Sequence, residues 1–197
     1  MAKRSLTRAD IMPLPQYVTE RPERRRRIAA MKRARRVEVG PFATFYFENY
    51  ATMWHQIHEM LYIEKGGEEQ IADELSAYNP LIPQGNELVA TVMIEVDDEI
   101  RRQSVLARLG GIEAAMFLQV GGEQVRGVPA GDRENTRADD NKASSVQFVH
   151  FPFTAEQIAR FGTPGTQVIV GFDHANYGHL AIMPDATRAA LAQDFDG

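Results

Sequence analysis

No cysteine occurs in the 197 residues. That absence removes disulfides, thiolate nucleophiles, cysteine-bound zinc and cysteine-ligated iron–sulfur clusters together, so any metal would have to rest on His, Asp and Glu. Long apolar runs are missing as well. The stretch from Leu88 to Ile94 is strand-sized, whereas a membrane helix needs roughly 20 apolar residues. The start, MAKRSLTRAD, has charges but no apolar central region, which argues against a secretory signal. By elimination the expectation is a cytoplasmic protein that does not span a bilayer. Familiar catalytic signatures are also lacking: the chain contains no GxxxxGK phosphate loop, GxGxxG, GxSxG elbow or HExxH helix. The common nucleotide and hydrolase readings therefore have no support.

What is present suits a folded domain. Hydrophobic residues at 44% and charged residues at 25% lie near the globular average and far from disordered compositions. At this length one domain spanning 1–197 can bury a core without staples. Charge is unevenly spread. Residues 1–40 hold twelve Lys or Arg against four Asp or Glu, while the rest carries enough acid to bring the whole to −5. A basic helical arm thus sits on an acidic body, and such a split points to an anionic partner or to a solvated face that pairs with its own acidic surface.

Local patterns predict the elements. Pro13 and Pro15 read as breaks, and Pro22 as the first turn of an arginine-rich helix reaching Arg36, with Glu20 and Glu23 at its positive end. Phe42–Glu48 has strand character, and Asn49 is placed to cap the next helix. Met53, Trp54, Ile57, Met60 and Leu61 recur at helical spacing and predict a helix over 50–64. A second helix covers 68–78. Leu88–Val96 reads as a central strand covered on both faces, followed by a helix over 98–109. Segments 115–120 and 124–128 flank Gly121 and Gly122 as a hairpin. Residues 129–145 read as a polar mobile loop. Strands at 146–151, 168–172 and 180–183, a capping box from Thr154 to Gln157, and a last helix capped by Asp185 complete the reading. Helices and strands do not alternate cleanly, so the predicted class is α+β with a mainly antiparallel sheet.

Candidate chemistry is sparse. His55, His58 and Glu59 share spacings that let imidazoles and a carboxylate chelate a metal. The helical wheel, however, puts His55 and Glu59 opposite the apolar stripe, facing solvent unless another element covers them. Asp173, His174, Tyr177 and His179 lie in a connection between two strands, where a turn can converge two imidazoles on a metal or merely satisfy them on backbone groups. His150 reads as a strand histidine that is packed and hydrogen-bonded. Asp132, Glu134, Asp139 and Asp140 lack the ordered spacing of a calcium loop.

The segments FENYATMWHQIHEMLYIEKGGEEQIADELSAYNPLIP (Phe47 to Pro83), ELVATVMIE (Glu87 to Glu95), SSVQFVHFPFT (Ser144 to Thr154) and GFDHANYGH (Gly171 to His179) resemble a bacterial domain-of-unknown-function family, number three-five-zero-one. The resemblance covers the whole chain. It carries no established activity or catalytic residues. It implies a gene context beside rubrerythrin and an iron–sulfur oxidoreductase, and hence a place near oxidative stress, peroxide handling or electron transfer. The family pattern more often has Tyr and Gln where this chain has His55 and His58, but Glu48, Glu59, His174 and His179 match it.

Two functions follow as expectations. The first is an accessory protein of a redox system that binds iron or manganese through Glu48, Glu59, His174 and His179, since mixed imidazole and carboxylate ligation suits those metals. The second is a binding or assembly module whose helix docks an acidic protein partner or polyanion through Arg24, Arg25, Arg26, Arg33 and Arg36. The acidic body argues against a long nucleic-acid duplex. No nucleophile and base stand at recognisable spacing, so enzymatic activity is left open, as is self-association.

Overall fold

Two antiparallel sheets form the body of the computed structural model, which describes residues 3–130 and 142–195. Strands β1 (Arg36–Val39), β2 (Ala43–Phe47), β3 (Glu87–Ile94), β6 (Val128–Pro129) and β7 (Val146–Pro152) make one sheet, ordered β1-β2-β3-β7-β6. The other contains β4 (Met116–Val120), β5 (Glu123–Arg126), β8 (Val168–Phe172) and β9 (Leu180–Ile182), ordered β5-β4-β8-β9. Period-two alternation decides what meets between them. Val37, Phe45, Phe47, Leu88, Ala90, Val92, Val149 and Phe151 point inward and join Leu118, Val170 and Phe172 of the second sheet in one buried cluster. Phe45 lies at the centre, with ring centroids 5.1 Å from Phe172 and 6.3 Å from Phe151.

Helices α1 (Leu14–Arg33), α2 (Tyr50–Glu64), α3 (Gly67–Tyr78), α4 (Glu99–Ala107), α5 (Ala155–Gly162) and α6 (Asp185–Ala192) complete the fold. The class is α+β, as the sequence predicts. Helix α2 starts where Asn49 accepts from the Thr52 amide at 3.0 Å and the Thr52 hydroxyl accepts from the Asn49 amide at 2.8 Å. Its stripe of Met53 and Ile57 packs with Ile71 of α3, Val89 of β3, and Leu6 and Ile11 from the start of the chain, forming a second apolar cluster. β3 is therefore covered on both sides at Val89.

The arginine-rich helix differs most from expectation. It begins at Leu14, not Pro22, and ends at Arg33. Pro13 precedes it and Pro15 lies in its first turn, where the missing N–H has no intrahelical partner to lose. Pro22 lies inside the helix. Glu20 and Glu23 consequently sit mid-helix, where they pair with Arg24, Arg26 and Arg27 instead of capping the positive end. Arg35 and Arg36 fall outside the helix, and Arg36 opens β1, a strand the composition hides. Asp185 is the first residue of α6 and Pro184 holds the cap position.

The mobile-loop expectation for 129–145 falls mainly on residues 131–141, outside the described residues. Its flanks belong to the body. Pro129 pairs with Val149, the Ala130 amide donates to the Phe148 carbonyl at 2.8 Å, and Ala143 is buried with its amide on the Leu106 carbonyl at 3.1 Å. A short alanine enters the core there despite polar neighbours. Among the described residues no helix is long and apolar enough to cross a membrane.

Candidate functional site

The polar centre of the molecule is the seam between α1 and α2. Because α1 carries few apolar residues, it cannot dock by burying carbon alone; Tyr17 is its one fully buried side chain. The Tyr17 hydroxyl donates to Glu59 Oε1 at 2.6 Å and lies 3.2 Å from His55 Nδ1. A phenol has one proton to give, so the imidazole must be the donor in the second contact. Arg21 holds the same carboxylate with two N–H bonds of 2.8 Å, a bidentate geometry, while stacking 4.3 Å from the Tyr62 ring centroid. The result is a relay from His55 through Tyr17 to Glu59, closed by Arg21.

Each member is locked in one protonation state. Arg21 and Tyr17 hold the Glu59 carboxyl down to about 2 against the cost of burial. Burial, helped by Glu59, pushes the Tyr17 phenol well above its ordinary range. Burial lowers His55, and lowers His58 to about 4. His58 accepts from the Met12 amide at Nε2, 3.0 Å, and donates from Nδ1 to the Trp54 carbonyl, 2.6 Å, which fixes its neutral tautomer. At neutral pH the seam holds ionised Glu59 and Arg21, neutral His55 and His58 and an intact phenol. Such an arrangement is suited to clamping a helix.

Beside the relay, α1, α2 and the segment 9–13 enclose a cleft of about 650 Å³. Trp54 forms its floor, fixed by its indole N–H on the Asp10 carbonyl at 2.8 Å and by stacking on His58 with centroids 3.6 Å apart. The Arg24 guanidinium lies 4.6 Å from the Trp54 ring centroid. A smaller cleft of about 380 Å³ lies across the same segment, lined in part by His58 and Ile71.

The four residues expected to share a metal each have other partners. Glu48 is buried at the end of β2, with Oε1 accepting from the Thr91 hydroxyl at 2.8 Å and Oε2 unpartnered. Glu59 belongs to the relay. His174 contacts the Gly110 carbonyl through Nε2 at 3.0 Å and accepts from the Asn176 amide at 3.2 Å. His179 stacks edge-on against Tyr177, centroids 4.5 Å apart, over Gly40. Among the described residues no three His, Asp or Glu side chains are grouped to hold one ion. Glu48, Glu59, His174 and His179 are not brought together as one ligand set among the described residues. His174 and His179 lie in the connection between β8 and β9, Glu48 directly follows β2, and Glu59 sits in the middle of α2 on the face that α1 covers.

The remaining candidates resolve in the same way. Tyr177, buried, donates to the Val39 carbonyl at 2.8 Å and accepts from the Phe42 and Ala43 amides at 3.0 Å each, tying the β1–β2 turn to the β8–β9 connection. Asp173 pairs with Arg126 at 3.1 Å. His150 contacts Glu87 at 2.9 Å, as a packed strand histidine should. The wheel had left His55 and Glu59 facing solvent unless something covered them, and α1 is that cover. Sequence reasoning missed Tyr17 and Arg21 as their partners. The available signal was their spacing: with the helix starting at Leu14, Tyr17 and Arg21 are one turn apart and share a face.

Similarity to other proteins agrees with this whole-chain architecture. A family model described as Protein of unknown function (DUF3501) matches residues 5–195. No curated protein matches. A crystal structure of a novel protein of unknown function from Burkholderia pseudomallei is similar over 98% of this chain and 100% of its own, with 37% identity and a TM-score of 0.89. With its matched span running almost from end to end, the chain belongs to the DUF3501 family of proteins of unknown function.

Proposed function

We propose that the protein is a docking module that holds an acidic protein partner against the outward side of α1. One observation carries this reading. Among the described residues, the only ion pair from α1 to the rest of the molecule is Arg21 with Glu59, so the acidic body leaves the helix's other cations unneutralised. Arg26 and Arg27 share Glu23 within the helix, and Arg25 and Arg33 are exposed without an ion pair among the described residues. Arg24, turned onto Trp54, and Arg36, on β1 beside Glu38 at 3.5 Å, drop out of the outward set.

Exposed arginines on a rigid rod favour acidic protein surfaces, since planar guanidiniums pair with carboxylates two bonds at a time. The gene context implied by the family resemblance makes the acidic face of a redox protein the first partner to consider, rubrerythrin or an iron–sulfur oxidoreductase included. The role is then accessory: assembly, not chemistry. Fluorescence anisotropy with a labelled glutamate-rich peptide tests the docking. Binding should be saturable and weaken at least tenfold between about 50 and about 300 mM salt, as screening shortens the reach of exposed charges. Reversing Arg25, Arg26 and Arg33 to glutamate should abolish it. Unchanged affinity in that triple variant rejects the proposal.

A further inference from the structure

The cleft between α1 and α2 has the dimensions and lining of a ligand site. Its volume of about 650 Å³ falls within the roughly 300–1,000 Å³ common for small-molecule pockets. Trp54 lines the cleft with its polar atom already satisfied. His58 stacks on the ring and the Arg24 guanidinium lies over it, so an apolar body reaches the indole once Arg24 turns away, without leaving a donor stranded. Ile28 and Met31 continue that apolar wall along α1.

The rim is cationic. Arg24 and Arg27 lie one turn apart on the same face of α1, and Lys3 also lines the opening. Asp10 is the only carboxylate of the lining. Its oxygens are already used, accepting from Lys3 at 2.6 Å, the Thr7 amide at 2.9 Å, the Thr7 hydroxyl at 2.8 Å and the Tyr50 hydroxyl at 3.0 Å. The carboxylates now paired with the two arginines are Glu20 and Glu23, whose side chains are 39% and 49% exposed. Pairs this exposed contribute little, so a carboxylate arriving with its body against Ile28 and Met31 can replace them and draw Arg24 off the Trp54 ring.

From this juxtaposition we infer that the α1–α2 cleft binds a small organic acid, its aromatic or branched aliphatic body packed against Ile28, Met31 and the Trp54 ring that Arg24 uncovers, and its carboxylate held by Arg24 and Arg27. A carboxylate fits better than a compact polyanion because the paired guanidiniums are planar forks above an apolar floor. The inference is independent of partner docking, which uses Arg25, Arg26 and Arg33.

Trp54 is the only tryptophan in the chain, so its fluorescence reports the cleft directly. The full-length protein is titrated with 4-phenylbutyrate, with the isosteric alcohol 4-phenyl-1-butanol and with inorganic phosphate; calorimetry provides a second readout. The acid should saturate the signal and bind at least about tenfold more tightly than the alcohol, a difference of about 1.4 kcal/mol. Phosphate alone should not saturate it. Arg27→Gln, at an exposed position, should weaken the acid at least about fivefold with an unchanged circular dichroism spectrum, and Arg24→Gln should weaken it further. Equal affinity for acid and alcohol, no saturation, or an Arg27→Gln variant that binds as the parent does would each overturn the assignment. Binding of the glutamate-rich peptide should survive Arg27→Gln, which separates this outcome from failure of the docking reading.

Discussion

The interior between the sheets and the seam between α1 and α2 are closed by different forces. Between the sheets, alternation brings Phe45, Phe47, Phe151 and Phe172 together with aliphatic neighbours in one apolar cluster. In the seam, Tyr17, Arg21, His55 and Glu59 meet through hydrogen bonds, with Trp54 and His58 stacked beside them. Carbon burial is tolerant of pH and depends on volume. A hydrogen-bonded relay depends on each proton and fails stepwise when one is lost or added. The comparison suggests a stable body carrying a helix whose attachment can be tuned separately.

The sharpest way to break the comparison is to empty the sheet core. Phe45→Ala should cost about 3–5 kcal/mol, seen as a lower urea midpoint with every probe shifting together. Tyr17→Phe should cost less, about 1–3 kcal/mol, because it strands the His55 donor while leaving Glu59 on Arg21. Its signature should be local: altered Trp54 fluorescence, since the Tyr17 and Trp54 ring centroids are 5.9 Å apart, before core amides lose hydrogen-exchange protection. If the two variants unfold with identical probe dependence, the two regions are one cooperative unit.

Acid should separate them more gently. His58 is lowered from 6.5 to about 4 and Glu59 from 4.5 to about 2. Both folded values lie below the unfolded ones, so both groups stabilise the fold at neutral pH. The His58 contribution fades as pH falls from 6.5 towards 4, and that of Glu59 from 4.5 towards 2. Trp54 fluorescence should therefore change on acidification ahead of the β-sheet circular dichroism signal. Asp194, raised by burial although Arg35 opposes this, acts in the opposite sense and marks the end of α6, not the seam. The smallest effect is expected at the outward charges. Arg26→Ala should leave the urea midpoint unmoved, because its pair with Glu23 is exposed on both sides, while weakening peptide docking.

Elements with strong local signals were legible in the sequence. Helix α2 runs from Tyr50 to Glu64 as its apolar spacing predicts, and Asn49 caps it. The Thr154 and Gln157 capping box forms. What could not be read is what depends on partners distant in the chain. Proline at 13 and 15 reads as a break unless one knows that a helix starts between them. Arg35 reads as one more solvated cation, yet it is buried, donating to the Phe47 and Glu48 carbonyls at 3.0 Å and pairing with Asp194. Of the candidate site, Glu59 reads as a carboxylate facing solvent unless another element covers it; α1 is that cover, and the partners it brings are the Tyr17 phenol and the Arg21 guanidinium. A turn can converge His174 and His179 or hold them apart; here His174 lies on the Gly110 carbonyl and the Asn176 amide while His179 packs on Tyr177.

Gly40 draws a limit on how this architecture can vary. Its φ is +69°, and a Cβ placed there would come within 2.6 Å of the His179 ring and 2.8 Å of the Tyr177 hydroxyl. The two sheets meet along that edge, where β1 runs beside β9. A chain of this architecture that carries alanine at position 40 must bear a left-handed backbone there and either move both the 177 hydroxyl and the side chain at 179 or part the edges of its two sheets. A change at 40 is therefore expected to arrive with changes at 177 and 179.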